Sequence, residues 1–376
     1  MIDKHSETAL HIQLQEILKK QIKEGKLKAG QKIPSERELS DLYDVSRSTS
    51  KSAVVALYNE GLVTRVTGKG TFVRTTSNID SMARDKTYTI GLVLNMSKKV
   101  RIPIPQSAVY HYLAQGLQDE IKKFNYHLTV SHVDDEDIAE VELYKKLLKK
   151  VDGIIFAELR NNTLLDIVQK TGLPVVVIFP GLNNYNADIV NIDSFDIGMK
   201  AVNYLLSLGH KKIGIIKGPN SVLSARERFL GYKQALTHAG IKIDELLISE
   251  GNGWQVENGE RAMKELLKRD TGMTALFAIN DLLAKGAMNI AQKNGISIPG
   301  EISIIGCDNT DFTAHTSPPL TTLSIHEDNI VRSAIRILMN KIDFPDEPVT
   351  RTIYNADLIV RESCRPLKEK ADRKNL

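Results

Sequence analysis

Ser35-Glu36-Arg37-Glu38-Leu39-Ser40-Asp41-Leu42-Tyr43-Asp44-Val45-Ser46-Arg47-Ser48-Thr49-Ser50-Lys51 reads as two short helices joined by a tight turn. Ser35 and Glu38 have the spacing of a capping box, which opens the first helix. Leu39, Leu42 and Tyr43 are its inward positions. Asp44-Val45 supply the turn, and Ser46 caps the second helix. Ala53, Val54 and Leu57 give that helix a buried face, and Gly61 ends it. Its first turn is small and polar, the form that a helix entering a DNA groove needs.

On the N-terminal side, Leu10, Leu14, Ile17, Leu18 and Ile22 form an apolar stripe at helical spacing. On the C-terminal side, Leu62 to Val66 reads as a strand. Gly68-Lys69-Gly70 turns the chain, and Thr71-Phe72-Val73 completes a hairpin. Residues 75–87 are polar and aperiodic, as a linker is. Fully extended they reach roughly 40 Å, at about 3.3 Å per residue.

From Tyr88 onward, short apolar strands alternate with helices. The strands begin with Ile90 to Leu94, Tyr126 to Val133, Gly153 to Phe156 and Val175 to Ile178. They continue with Ile213 to Ile216, Ala275 to Ile279 and Ile302 to Ile305. Strands of this kind separated by helices belong to parallel sheets covered on both faces. There are too many for one compact open sheet, so the expected fold class is α/β with two lobes. In such folds the ligand residues gather at the carboxyl ends of the strands.

Four positions there carry chemistry. Asp308 follows a strand ending at Gly306, and Asn280-Asp281 follow one ending at Ile279. Arg226 lies in a first helical turn opened by the box Ser224-x-x-Glu227. Trp254 is the only tryptophan. Carboxylate, guanidinium, amide and indole together suit a polyhydroxylated ligand: three bond hydroxyls and the indole covers a ring face. Taken singly, Asp and Asn after strands also serve as turn formers, and a lone Trp also serves as core.

The chain has 376 residues, enough for two or three domains, and is 42% hydrophobic and 26% charged, as soluble globular proteins are. Residues 1–76 contain 13 Lys/Arg against 9 Asp/Glu, whereas the rest contains 37 of each. All the excess positive charge therefore sits in the first fifth, the footprint of a part that meets a polyanion. Charge alone suits an ordinary, slightly basic domain equally well. Two cysteines, Cys307 and Cys364, rule against a disulfide framework and fit a reducing, cytoplasmic setting. No apolar run is long enough for a transmembrane helix or a signal peptide. The nine histidines show no metal-ligand spacing, so no metal or cofactor is expected.

Two resemblances sharpen this reading. Residues 9–74 resemble the winged helix-turn-helix of the GntR family. The match is carried by Lys32-Ile33-Pro34-Ser35-Glu36-Arg37-Glu38-Leu39, Val45-Ser46-Arg47-Ser48-Thr49, Glu60-Gly61-Leu62-Val63 and Gly68-Lys69-Gly70-Thr71-Phe72-Val73. It implies that Arg37, Arg47, Ser48, Thr49 and Lys51 face DNA and that Gly68 lets the wing approach a groove. Lys51 stands where that family often has Arg, which leaves a point charge suited to phosphate. Ser52 stands where an acidic residue is common, and that role does not carry over.

Residues 88–363 resemble the effector domain of the LacI/GalR family, built like type I periplasmic sugar-binding proteins. The motifs are Val151-Asp152-Gly153-Ile154-Ile155, Gly172-Leu173-Pro174-Val175-Val176, Leu206-Ser207-Leu208-Gly209-His210, Ser224-Ala225-Arg226-Glu227-Arg228-Phe229-Leu230-Gly231-Tyr232, Ala278-Ile279-Asn280-Asp281, Ile305-Gly306-Cys307-Asp308 and Ser317-Pro318-Pro319-Leu320. The resemblance implies that Arg226 and Asp308 contact an effector, with Asn280 and Trp254 lining the site. The family's aromatic segment after the first strand is replaced here by residues 98–110, where only Tyr110 keeps an aromatic. Residues 75–87 show no hinge helix.

The expected layout is a head at 1–74, a linker at 75–87, an effector and dimerisation domain at 88–363 and a tail at 364–376. A GntR-type head on a LacI-type sensor is the arrangement of arabinose-type repressors. It implies a non-enzymatic, homodimeric repressor of carbohydrate-use genes. Such a protein binds an inverted-repeat operator in double-stranded DNA and is released by a sugar such as L-arabinose or another pentose or hexose. A pyridoxal-phosphate-dependent aminotransferase-like regulator lacks its lysine context here, and a secreted sugar-binding protein would not need residues 1–74.

Overall fold

The computed structural model describes residues 2, 8–28, 30–60, 62–66, 70–73, 86–95, 108–182 and 184–367. The head consists of α1 (Leu10–Lys23), α2 (Glu36–Tyr43), α3 (Arg47–Asn59), β1 (Val63–Val66) and β2 (Gly70–Val73). The capping box forms as the spacing requires: Glu38 N donates to Ser35 Oγ (3.2 Å) and Ser35 N to Glu38 Oε2 (2.7 Å). Asp44 ends α2 in the left-handed region at φ 48°, and Thr49 N donates to Ser46 Oγ at 3.0 Å to open α3. Leu14, Leu18, Leu39, Ala53, Val54 and Leu57 close into one core with Val63 and Val73 of the antiparallel β1–β2 pair. Leu42, expected inside, is 66% exposed. The eight-residue α2 buries only Leu39, so its one-sided packing leaves Leu42 in solvent. Gly61, Gly68 and Lys69 lie outside the described residues.

The remainder forms two α/β lobes. The first contains β3 (Thr89–Asn95), α4 (Ala108–Lys122), β4 (His127–Val133), α5 (Ile138–Leu147), β5 (Gly153–Ala157), α6 (Thr163–Gln169), β6 (Val175–Ile178) and β7 (Asp188–Ile192). The chain then crosses to the second lobe: α7 (Ser194–Ser207), β8 (Ile213–Lys217), α8 (Leu223–His238), β9 (Ile248–Glu250), α9 (Val256–Lys268), β10 (Ala275–Ala278), α10 (Asp281–Lys293), β11 (Ser303–Ile305) and β12 (Thr322–Ser324). It returns to the first lobe through α11 (Glu327–Asp343) and β13 (Arg351–Tyr354), and crosses a third time to β14 (Asp357–Ile359), which pairs antiparallel with β12.

The first-lobe sheet has the order β13-β7-β6-β5-β3-β4 and the second-lobe sheet β11-β10-β8-β9, all pairs parallel. The continuous apolar runs are buried on both faces: α4 and α11 cover one face of the first sheet, and α5 and α6 the other. Each fully buried Leu, Ile or Phe contributes roughly 1.5–3 kcal/mol of transfer free energy. In the second lobe α7 and α8 touch at Gly198, where a Cβ would overlap the backbone oxygen of Arg228. That close approach fixes where Arg228 sits.

The structure shifts two expected boundaries. Residues 364–367, placed by sequence in the tail, are stitched to the second lobe. Cys364 Sγ lies 3.2 Å from Ile304 O, and Leu367 N donates to Leu208 O at 2.8 Å. Thr87, placed in the linker, binds the Asp152 carboxylate through its N–H and its hydroxyl, both at 2.9 Å. Among the described residues no helix is long and apolar enough to cross a membrane.

Candidate functional site

Arg37 stands in the first turn of α2, and Arg47 and Lys51 in the first two turns of α3. Arg37, Arg47 and Lys51 are exposed, and among the described residues none pairs with a carboxylate. Arg47 and Lys51 lie one turn apart on α3, so they project from the same face. The Ser46 hydroxyl lies 2.7 Å from Ser48 Oγ and 2.8 Å from Thr49 Oγ1. This hydroxyl cluster at a helix N-terminus, with free N–H groups, favours phosphate. Gly68 lies outside the described residues.

The second site lies where the lobes meet. A cavity of about 360 Å³ is lined by Tyr112 of α4, Asp308–Asp311 after β11, Ser324 and His326 at a crossing, and Glu327, Asp328, Asn329 and Arg332 of α11. Tyr112 closes it: its hydroxyl donates to Asp311 Oδ2 at 2.8 Å, from first lobe to second. His326 sits in the left-handed region at φ 52°, and its Nε2 lies 2.8 Å from Asp357 Oδ2, tying two of the crossings together.

Asp308 turns off β11 at φ 115°, held by its N–H to Leu323 O at 2.8 Å. Its partner is Arg228, not Arg226. Arg228 Nη1 lies 3.6 Å from Asp308 Oδ1, with side-chain exposures of 7% and 9%. Arg228 also donates to Ile279 O, and its Nε is buried without a partner among the described residues. Arg226, expected to contact an effector with Asp308, donates to Asn220 O at 2.8 Å near the surface. The reason is helical register. The expected box at Ser224 does not form; α8 starts after Val222, and its buried stripe runs through Ala225, Arg228, Tyr232 and Ala235. Arg226 falls off that stripe.

Asn280 is committed to structure at both ends of its amide. Its Oδ1 caps α10 through Leu283 N at 2.9 Å, and its Nδ2 donates to Trp254 O at 3.1 Å. That bond and the packing of the indole over Gly218 hold Trp254 against the second-lobe core. Neither residue lines the cavity; Asp308 does. Tyr110 falls in α4, but its side chain lies outside the described residues.

Asp281 is fully buried and accepts from Thr322 Oγ1 (2.6 Å), Thr310 N (2.8 Å) and Thr310 Oγ1 (3.0 Å). Burial, then the nearby Asp308, pushes its carboxyl up to about 7. Burial also raises Asp308, with Arg228 opposing. Glu327 is pushed up to about 8 by burial and by the surrounding carboxylates. Asp308 and Asp281 thus share one buried guanidinium with Glu327 close by, an arrangement that resists another negative charge and welcomes hydroxyl donors.

A further polar network went unread in the sequence. Asn95, Asp134, Asp135, Arg160 and Asn161 sit at the carboxyl ends of β3, β4 and β5. Arg160 Nη2 lies 2.7 Å from Asp135 Oδ1, and Arg160 N donates to Asn95 Oδ1 at 3.0 Å. Asn161 also donates to Asp135. The available signal was the polar doublet Asp134-Asp135 directly after β4 and Arg160-Asn161, separated from the end of β5 by two residues.

The chain matches two families: bacterial regulatory proteins of the gntR family over residues 10–73, and the periplasmic binding protein-like domain over residues 202–364. The HTH-type transcriptional repressor PurR of Pasteurella multocida (strain Pm70) is 30% identical over 281 residues, 73% of this chain and 84% of PurR. The HTH-type transcriptional repressor CytR of Escherichia coli (strain K12) is 29% identical over 282 residues, 73% of this chain and 81% of CytR. Among solved structures, a LacI family transcriptional regulator from Enterococcus faecium with bound ribose matches with a TM-score of 0.65 and 29% identity. That match covers 74% of this chain and all of the other.

Proposed function

The chain belongs to the LacI family of ligand-responsive DNA-binding repressors, with a gntR-family head, and we propose that its effector is an uncharged sugar held between the two lobes. The observation that carries this reading is Asp308 at the wall of the 360 Å³ cavity, held from behind by the buried Arg228. A carboxylate fixed in this way offers an acceptor in a set position, the requirement for reading hydroxyls. The lining carries Asp308, Asp311 and Asp328 against Arg332, with Glu327 holding its proton near neutral pH, so a phosphate ester meets repulsion there and a neutral pentose or hexose does not. L-Arabinose is the first candidate, from the architecture; ribose is bound by the related Enterococcus faecium regulator.

In this reading Asp308 and Tyr112 hold the ligand, and Arg228 positions Asp308. Trp254 and Asn280 shape the second-lobe side, and Arg226 serves from the rim. Arg37, Arg47, Ser48, Thr49 and Lys51, with the wing at Gly68, dock an operator of inverted-repeat form. The proposed functional division keeps a head over 1–74 and a linker from 75, with the sensing, dimerising domain widened to Thr87 at its start and Leu367 at its end. The test is thermal unfolding of the whole protein with L-arabinose, D-ribose, other pentoses and hexoses, and their phosphates. A neutral sugar should raise the Tm and its phosphate should not. Stabilisation by phosphate esters alone, or by no sugar in the panel, would contradict the reading.

A further inference from the structure

Helix α11 touches both functional ends of the chain. Its first turn, Glu327, Asp328 and Asn329, with Arg332 one turn on, lines the cavity. Its middle is buried in the first-lobe core through Ile330, Val331, Ala334, Ile335 and Leu338, so it moves with that lobe as a solid element. With 17 residues it spans about 25 Å at 1.5 Å per residue. At its far end, the ring of Phe344 packs on the ring of Tyr58 with centroids 5.4 Å apart and planes tilted by 43°. Tyr58 stands in the last turn of α3, the helix whose first turn carries Arg47 and Lys51. Beside it Lys86, adjoining Thr87 at the sensor's edge, reaches Asp343 at 3.6 Å, so the chain entering the sensor meets the same end of α11.

We propose that the end of α11 at Phe344 is a docking surface for the chain's own head, and that through it α11 carries the state of the cavity to the DNA-reading helix. The proposal rests on the cavity being the effector site. The physical argument has three parts. The cavity is built partly from the second lobe (Asp308–Asp311) and partly from α11, so a ligand that closes it must alter how α11 lies against that lobe. α11 is anchored at its far end, where Lys341 lies 3.4 Å from Asp188 of β7, and the Phe344 N–H donates to Asn340 O at 2.6 Å. Phe344 therefore follows the helix. And the ring pair of Tyr58 and Phe344 is a weak contact, so a modest difference in ligand affinity between docked and undocked states is enough to shift the balance.

A larger interface would lock the head; no interface would leave the linker alone to transmit the signal. An edge-tilted ring pair lies between these extremes, because it is specific in geometry yet weak enough to be made and broken. The position of Tyr58 also matters. It lies at the opposite end of α3 from the DNA-facing turn, so the head could be held or released without anything from the sensor entering the groove.

The experiment compares the full-length chain with Phe344→Ala and with Phe344→Tyr, which keeps a ring. Three quantities are read: amide hydrogen exchange over residues 55–60, calorimetric binding of L-arabinose and D-ribose, and affinity for a duplex selected by the wild-type chain from random sequence, with and without each sugar. Phe344→Ala should speed exchange over 55–60 at least tenfold and still bind the sugar, with an affinity shifted by no more than the coupling it loses. It should cut the sugar's effect on DNA affinity at least fivefold, and Phe344→Tyr should restore both. Unchanged exchange over 55–60 in Phe344→Ala overturns the docking surface. Faster exchange with an undiminished sugar effect overturns the coupling. If neither sugar binds the wild type, the sugar reading of the cavity is what fails, and the exchange arm still decides whether the head docks on Phe344.

Discussion

Arg228 and Arg226 are two residues apart and have opposite fates. Arg228 is buried beside Asp308 and the carbonyl of Ile279, whereas Arg226 reaches only a loop carbonyl near the surface. Removing one partner of a buried pair leaves the other uncompensated, at a cost of about 3–5 kcal/mol. Arg228→Ala should therefore lower stability by that order and abolish the sugar response, and Arg226→Ala should change stability by no more than about 0.5 kcal/mol. Urea unfolding of both variants decides this; equal losses would place the functional arginine wrongly. Glu327 gives the pH signature of the site. Its carboxyl, normally near 4.5, is raised to about 8 by burial and neighbouring carboxylates, so the folded state favours the proton. The stability it contributes is complete below pH 4.5 and is lost as pH rises through 8. Glu327→Gln removes that loss: its Tm should equal wild type near pH 4.5 and exceed it at pH 9. A variant whose Tm tracks wild type across this range would show that Glu327 ionises as an exposed carboxylate does.

At the scale of elements, α3 divides its labour along its length. Arg47 at its start can make two parallel hydrogen bonds to guanine, and Lys51 one turn on is a point charge suited to phosphate. Arg47→Ala should cost about 1–3 kcal/mol and relax preference at one base position in each half-site. Lys51→Ala should weaken all duplexes alike and flatten the salt dependence. Titrations on matched and singly mutated duplexes check both, and uniform weakening by Arg47→Ala would mean that it contacts only the backbone. The caps and apolar stripes that make α1 to α3 were legible in the residues, because local hydrogen bonds and periodicity suffice to form them. The seven strands read from apolar runs are present for the same reason. The remaining strands of the two lobes, β7, β9, β12, β13 and β14, have only three to five residues each and owe their existence to partners distant in sequence. Asp308 was legible because it lies just beyond the carboxyl end of a buried strand. Arg228 was not, because Ser224-x-x-Glu227 has the spacing of a cap, although the stripe of Ala225, Tyr232 and Ala235 places Arg228 inward. Leu42 shows the reverse error: an apolar residue at core spacing with nothing on that side to cover it.

On the scale of the whole molecule, three crossings join the lobes, and two of them are tied by His326 and Asp357 at the cavity's edge. A cavity shared by two lobes so connected converts ligand binding into a change in lobe geometry. A single head offers too few contacts for tight operator binding, so two chains should act together through an isologous sensor interface. Sedimentation of residues 77–376 at micromolar concentration should give a dimer, and residues 1–76 a weakly binding monomer; a monomeric sensor would contradict that assembly. The account as a whole rests on one linkage, in which occupancy of the cavity at Asp308 weakens the grip of the head on DNA. The most direct measurement is the affinity of the full-length chain for its selected duplex as the stabilising sugar is titrated, in wild type and in Asp308→Asn. Wild-type affinity should fall at least tenfold, about 1.4 kcal/mol of coupling, while Asp308→Asn should bind DNA as wild type does without sugar and stay there. An Asp308→Asn chain that still responds at the wild-type sugar concentration, or a wild type that binds sugar by calorimetry without any change in DNA affinity, would contradict it.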